Sequence, residues 1–181
     1  MAIYTDGKWN VTGKYGVARS SKIKESNHIY DVLDTTNAIE QGSNIKLGDF
    51  VEGELQLRTA LTPTAKDKIV FVCDVPLIYE SDRISDQYEY KFVNKAGKNT
   101  KAYELCEDDV FGVSDYMFTT VVDTNVKLYN YVVVDGARKW KELASAPLST
   151  DYGFIGQVIG FEKYQYDTVV LVRVIKNVTE A

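Results

Sequence analysis

The C-terminal stretch from Gly153 to Val178 constrains the fold more than any other part of the chain. It contains two runs rich in Val, Ile, Phe and Tyr, residues 154–161 and 168–175, on either side of a polar connector over residues 162–167. β-Branched and aromatic side chains suit a pleated, half-buried surface. The second run is apolar on both faces except at Arg173, which is typical of a central strand. We therefore predict an antiparallel hairpin that closes a sheet built earlier in the chain. The side chains expected to be buried in it are Val158, Val170, Val172 and Val174.

Period-two alternation of apolar and polar residues recurs through the rest of the sequence. In residues 45–57, a Gly48-Asp49 turn signal precedes an alternating run that places Val51, Leu55 and Leu57 on one face, which predicts a strand with one solvated side. Residues 88–93 alternate aromatic and charged side chains and predict another strand, and Asp135-Gly136 is typical of a two-residue hairpin turn. No segment has the pattern of a three-turn helix. The sequence therefore predicts an all-β fold, a single antiparallel β-sandwich or barrel-like domain with an extended N-terminal arm.

The N-terminal segment has a different character from the rest. We predict that residues 1–27 form the extended arm and that residues 28–181 form the β-rich domain. Residues 1–24 carry a net charge of +4 within a total of −5, which leaves −9 for the remaining residues. Such a segment has no core of its own and becomes ordered by packing its apolar side chains on another surface. The alternative is that it forms the first strand of the main sheet. The arm residues predicted to contact a partner are Ile3, Tyr4, Trp9, Val11, Tyr15 and Val17.

The sequence contains no recognisable catalytic or metal-binding motif. The single histidine, His28, accompanies no nucleophile motif. Cys73 and Cys106 lie in strand-like runs without metal-ligand spacing, so we expect buried thiols. The acidic run 107–109 lacks the alternating ligands of a calcium loop and is interpreted as a solvated turn. We therefore predict that the protein is not an enzyme, has no catalytic residues, and needs no cofactor or metal.

Charge and hydropathy indicate where the protein is made and which partners it lacks. No apolar run approaches the roughly 20 residues of a membrane-spanning helix. The N-terminus lacks the layout of a signal peptide, which indicates synthesis in the cytoplasm. The acidic body disfavours nucleic acid as a partner. We expect neither a membrane nor a nucleic acid as a partner.

Four segments, taken in order, resemble a known group of proteins. They are LGDFVEGEL (47–55), KIVFVCDVPLIYE (68–80), the run from Phe92 to Ser114, and the closing hairpin (153–177). This order of features is similar to that of small structural proteins of tailed bacteriophages, the head decoration proteins, also called cement or auxiliary capsid proteins. The chain departs from the pattern at Asp108-Asp109, where Gly-Asp is expected before the Val-Phe strand. The arm lies outside the resemblance.

The resemblance implies a function and a set of partners. It implies a virion structural protein that binds the surface of the phage head. The expected partners are the major capsid protein or other virion subunits, and the expected assembly is a homo-oligomer or symmetric array. The expected location is the virion, after synthesis in the host cytoplasm. The alternative is a fibre or tail-associated module that binds a carbohydrate or a protein.

Overall fold

The chain is all-β in a computed structural model, which describes residues 4–5, 8–9, 15–24, 28–76, 89–123, 125–164 and 167–180. Within these ranges the helical segments are two short 3-10 turns, Glu89–Lys91 and Asp115–Met117. The predicted fold class is therefore confirmed. The strands in chain order are β1 (Tyr4–Thr5), β2 (Lys8–Trp9), β3 (Ala18–Arg19), β4 (Ile29–Leu33), β5 (Ile39–Glu40), β6 (Asn44–Phe50), β7 (Leu57–Leu61), β8 (Val70–Val72), β9 (Val93–Asn94), β10 (Thr100–Glu104), β11 (Val110–Ser114), β12 (Phe118–Thr120), β13 (Tyr131–Val134), β14 (Trp140–Leu143), β15 (Phe154–Tyr164) and β16 (Asp167–Asn177).

Five strands close a small barrel in the order β10-β4-β7-β6-β8. Its pairs are antiparallel except for β4 with β7, which are parallel. Side chains alternate between the two faces of a strand, so every second residue turns inward. A five-stranded barrel has little interior space, and small and β-branched side chains fill it. The buried residues of this cluster are Val32, Ile39, Ile45, Ala60, Val70, Val72 and Ala102.

The other large unit is a seven-stranded sheet in the order β12-β14-β13-β15-β16-β11-β3. The hairpin of β15 and β16 lies inside it, and β16 has β15 on one side and β11 on the other. The predicted central position of this strand is confirmed. Both strands are eleven residues long and extend beyond the predicted runs. The four valines expected in the core are fully buried.

Aromatic rings join the barrel to the sheet. Phe71 of β8 packs on Phe111 of β11 with ring centroids 4.7 Å apart, and Trp140 of β14 lies 5.1 Å from Phe111. Phe154 of β15 completes the cluster at 5.2 Å from Trp140. All four rings are buried in one hydrophobic core. Because aromatic side chains bury large apolar areas, this cluster holds the two units together.

Three local predictions were wrong. Gly48-Asp49 is not a turn, because β6 continues to Phe50 and the chain reverses over residues 51–56. Residues 89–91 form a 3-10 turn rather than a strand, while Tyr88 lies outside the described residues. The connection at Asp135-Gly136 has five residues, since Val134 pairs with Trp140.

The N-terminal segment is partly built into the body. β3 pairs with β11 and forms one edge of the seven-stranded sheet. Tyr15 is buried, and Val17 is only 1% exposed. The predicted arm over residues 1–27 therefore needs a correction. From Tyr15 to Lys24 the chain packs on the body and contains β3, as in the alternative of a first strand. β1 and β2 pair with each other and, among the described strands, with no other.

Candidate functional site

The hairpin that joins β6 to β7 presents an uncovered apolar tip. Leu55 is 91% exposed and Phe50 is 60% exposed. Alternation had predicted that Leu55 shares a face with the buried Leu57. Leu47 pairs with Ala60 but Phe50 pairs with Arg58, so β6 contains one extra residue. Leu55 lies in the connection over residues 51–56 rather than in a strand, so strand alternation does not set the direction of its side chain.

The tip is held rigidly by its own strands. Arg58 donates from Nε and Nη2 to the carbonyl oxygen of Gly48 at 2.9 and 2.6 Å, and its guanidinium lies over the ring of Phe50. Thr59 Oγ1 donates to Asp49 O at 3.1 Å. A Cβ at Gly48 would lie 2.2 Å from Thr59 Oγ1, so the bulge requires glycine there. The exposed tip is consequently a fixed feature of the surface.

A second feature is a cavity of about 490 Å³ between the sheet and the barrel. One wall is the edge segment from Gly16 to Ser21, which includes β3. The opposite wall is the segment from Cys73 to Pro76, which leaves β8, together with Lys101 and Tyr103 of β10. This volume lies in the range of pockets that bind ligands or peptide segments.

Gln41 and the edge strand β3 both contribute to the walls of this cavity. The side chain of Gln41, which is only 4% exposed, accepts the Asp74 N–H at Oε1 (2.8 Å), while its Nε2 has no hydrogen-bond partner among the described residues. On the other wall, Ser114 N–H donates to Val17 O at 2.9 Å, and Val17 N–H donates to Ser114 Oγ. Backbone groups alternate in direction along an antiparallel strand, so the N–H of Ala18 points away from β11, out of the sheet edge.

The remaining polar groups of the cavity wall have local partners. Arg19 forms an ion pair with Glu89 at 2.8 Å and donates to Ala18 O. Lys101 pairs with Asp31 at 2.6 Å. Burial raises the pKa of the Cys73 thiol, which disfavours the reactive thiolate. The charged side chains Arg19, Glu89 and Lys101 of the cavity wall are therefore engaged within the chain.

The structure describes four of the six residues predicted to contact a partner. Ile3 and Val11 lie outside the described residues, and Tyr4 and Trp9 are register partners in the β1–β2 pair. Tyr15 and Val17 pack inside this chain. Two basic side chains of the N-terminal segment form ion pairs within the chain. Arg19 pairs with Glu89, and Lys22 pairs with Glu162 at 3.0 Å. Tyr15 and Val17 are thus core residues of this chain, and the partner contact predicted for the segment stays a prediction.

The acidic run 107–109 is a turn, as predicted, and Glu107 and Asp108 are exposed, but Asp109 is not solvated. Asp109 is buried, and its carboxylate accepts the N–H of Lys24 at 2.8 Å and of Cys106 at 2.9 Å. Asp108 has φ +66°, a left-handed conformation that favours glycine and that Asp tolerates.

His28 belongs to a polar cluster at the end of the barrel. Its Nδ1 lies 3.1 Å from the carboxylate of Glu104, which also contacts Lys68 and accepts from Tyr30 Oη at 3.3 Å. Burial by itself raises the pKa of Glu104, and the Lys68 ammonium more than offsets this, so the pKa lies below its usual value. The cluster joins β4 to β10 and to the segment before β8.

No group of three His, Cys, Asp or Glu side chains is placed to hold a metal ion within the described part of the chain. Cys73 and Cys106 form no disulfide. In the same ranges, no helix has the length and hydropathy to cross a membrane. In comparisons with known proteins, no family model, no curated protein and no solved structure matches the chain. The geometry described above therefore carries the functional argument.

Proposed function

We propose that the protein is a virion structural protein that decorates the phage head, and that the apolar tip over residues 50–56 contacts a neighbouring virion subunit. The observation that carries the proposal is the exposure of Phe50 and Leu55 on a hairpin whose base is held by Arg58 and Thr59. A single exposed apolar residue is ordinary, but a fixed apolar projection is typical of an interaction site. A preorganised tip also loses little conformational entropy on binding.

The chemistry around the tip favours one kind of partner. Asp49, Glu52 and Glu54 give it negative charge, while the nearby Arg58 is engaged by Gly48 O and Phe50. A matching surface has an apolar pocket with Lys or Arg on its rim, because complementary charge sets orientation and association rate. The proposed partner is the major capsid protein or another virion subunit, arranged in a symmetric array.

The resemblance supports the same surface. One of its four segments, residues 47–55, contains most of the projecting tip. Small contacts of this kind gain strength when many copies bind a repetitive lattice, since each additional contact acts at high effective concentration. The proposed location is accordingly the virion.

Co-sedimentation with phage heads tests this proposal. Heads assembled without the protein are mixed with the purified chain and separated on a density gradient. The parent protein is expected to sediment with the heads, and Leu55→Glu is expected to weaken binding at least about tenfold. Leu148→Glu changes a comparably exposed apolar residue outside the tip and is the matched control. Absence of the parent protein from the head fraction, or unchanged binding of Leu55→Glu, would contradict the proposal.

The second candidate is a fibre or tail-associated module that binds a carbohydrate or a protein. The observation in its favour is Tyr129, an exposed aromatic with φ +67° whose N–H donates to Val158 O at 2.9 Å. Exposed aromatic rings are common contacts at binding surfaces. Glycan-array binding that is lost in Tyr129→Ala would favour this candidate over the decoration protein.

A further inference from the structure

One mouth of the five-stranded barrel is an open pocket of about 270 Å³, and all five barrel strands contribute to it. Its side chains continue the inward-facing positions of the barrel. In β4, Tyr30 precedes the buried Val32 by two positions, and in β10, Glu104 follows the buried Ala102 by two, so alternation turns both side chains toward the barrel axis. The residues that form the mouth in this way are Tyr30, Leu47, Arg58, Lys68, Val70 and Glu104.

We propose that this mouth binds a small organic anion. In the proposed complex, a phosphate or carboxylate group contacts Arg58 and Lys68, and a compact apolar body covers Leu47 and Val70. Mouths of β-barrels are common positions for ligand sites. The inference goes beyond the decoration function, because its ligand is a free small molecule and not a virion subunit.

Arg58 supplies a cation without a counter-charge. Its Nε and Nη2 donate to the neutral carbonyl group of Gly48, and in the described part of the chain its Nη1 has no acceptor and no carboxylate pairs with it. A guanidinium presents its N–H groups in a planar fork that matches a carboxylate or a phosphate. The position of Arg58 at the mouth therefore favours an anionic ligand.

The other charges of the mouth leave this excess in place. Lys68 pairs with Glu104, and Lys46 at the rim pairs with Asp67 at 2.7 Å, so each of these pairs is neutral. The Lys68 side chain is 44% exposed and that of Glu104 is 15% exposed. An ammonium group has three N–H donors, and Lys68 therefore keeps donors for a ligand after it has paired with Glu104. The mouth is net positive in a chain whose total charge is −5.

The floor of the mouth is mainly apolar. Val70 is buried, and Leu47 and Tyr30 pack on the barrel core. Tyr30 Oη donates to Glu104 at 3.3 Å; burial and the Glu104 carboxylate raise the pKa of Tyr30, so its hydroxyl stays protonated at neutral pH. A bare anion would leave this floor in contact with water, whereas an apolar body attached to the anion removes apolar surface from water and adds to the affinity.

NMR titration of the full chain with four small molecules tests the proposal. Phenyl phosphate and benzoate each carry an anionic group on an apolar ring, and comparing their affinities distinguishes a phosphate ligand from a carboxylate ligand. Inorganic phosphate is the anion without the ring, and benzylamine is the ring with a cation. We expect saturable shifts of the amide signals around the mouth with phenyl phosphate or benzoate, weaker binding of inorganic phosphate, and no binding of benzylamine.

Two substitutions should change the affinity in opposite directions. Lys68→Gln is expected to weaken binding of the aromatic anion at least about threefold, and Glu104→Gln is expected to strengthen it by about the same factor, because it removes the negative charge beside the ligand. A merely structural role of Glu104 would not strengthen binding. Lys101→Gln is the matched control and should leave the affinity unchanged, since Lys101 lies on β10, has a side chain that is 47% exposed, pairs with Asp31 and does not line the mouth.

The absence of saturable shifts with both aromatic anions would overturn the proposal. Binding of benzylamine as tight as that of the anions would do the same, as would an unchanged affinity in either Lys68→Gln or Glu104→Gln. Inorganic phosphate that binds as tightly as phenyl phosphate would contradict the apolar part of the site. Head binding is measured separately, so the outcome for this ligand site is independent of the outcome for the decoration function.

Discussion

The indole N–H of Trp140 donates to the carbonyl oxygen of Gly42 at 2.8 Å, and this bond joins the seven-stranded sheet to the turn before barrel strand β6. Both groups are buried, so neither is able to bond to water instead. The bond crosses the aromatic cluster that unites the two units. It fixes their relative position in a way that apolar packing alone does not, because a hydrogen bond is directional.

Replacing Trp140 by Phe tests this bond. The ring is kept in part, but the Gly42 carbonyl loses its donor, and we expect the free energy of unfolding to fall by about 2–4 kcal/mol. Urea denaturation measures the change. Trp9→Phe is the control, and its emission then reports Trp140 alone, which should be that of a buried indole. A loss below about 1 kcal/mol in Trp140→Phe would mean that the bond is unimportant.

A charge at Val172 tests the central hairpin. Val172 is fully buried between β15 and β11, so Val172→Asp is expected to cost more than about 3 kcal/mol or to prevent folding. Its neighbour Arg173 is exposed, and Arg173→Asp should change stability by less than about 1 kcal/mol. Thermal unfolding compares the pair. Equal melting temperatures for the two variants would place the hairpin at the periphery.

Glu142 anchors the loop that precedes β13. Its buried carboxylate accepts from Val122 N–H at 2.8 Å, Lys127 N–H at 2.7 Å and Asn130 Nδ2 at 2.7 Å. Glu142→Ala leaves these donors without an acceptor, and we expect a loss of about 2–4 kcal/mol. Hydrogen exchange should accelerate at Val122 and Lys127 before the rest of the sheet responds. Uniform acceleration across β15 and β16 would instead indicate global destabilisation.

Two buried carboxylates predict how stability depends on acid. Burial by itself raises the pKa of Asp34, but N–H groups of Asn37 and Thr36 and the Arg138 guanidinium more than offset it; for Asp67, Lys46 and Thr64 do so. Both pKa values lie below the ordinary value of about 3.9. The resulting stabilisation is present above that value and is lost as the pH falls through the lower, folded-state value.

Urea unfolding at a series of pH values from about 2 to about 7 measures this effect, because carboxyl groups titrate in the lower part of this range. Stability should be level near neutral pH and should fall below about pH 4. Asp34→Asn and Asp67→Asn should each be less stable at neutral pH and should show a shallower decline in acid. If the stability of a variant falls with decreasing pH as steeply as that of the parent, the replaced carboxylate does not cause the acid dependence.

Deletions define where the N-terminal segment joins the body. Removing residues 1–24 takes away Val17 and Ala18 from the core and the Lys24 N–H bond to Asp109, so we expect the melting temperature to fall by more than about 10 °C. Removing residues 1–14 keeps all of these contacts and should change it by only a few degrees. Calorimetry compares the two. Equal melting temperatures for the two deletion variants would mean that residues 15–24 belong to the arm and not to the body.

The sequence by itself determined the all-β class and the buried face of the C-terminal hairpin. The class follows from period-two alternation in several segments, and the hairpin follows from its β-branched and aromatic runs; Val158 and Val172 are register partners and both are buried. Local patterning suffices where a residue's environment is set by its immediate neighbours.

The tertiary structure alone decided the two candidate surfaces. Val17 bonds to Ser114 across 97 positions of sequence, and Trp140 bonds to Gly42 across 98, so no local pattern contains either contact. Leu55 is exposed because it lies in the connection between β6 and β7, and the alternating sequence around it does not show where the strand ends. Strand pairing between distant segments is a property of the assembled sheet, and it determines which side chains of an alternating run face water.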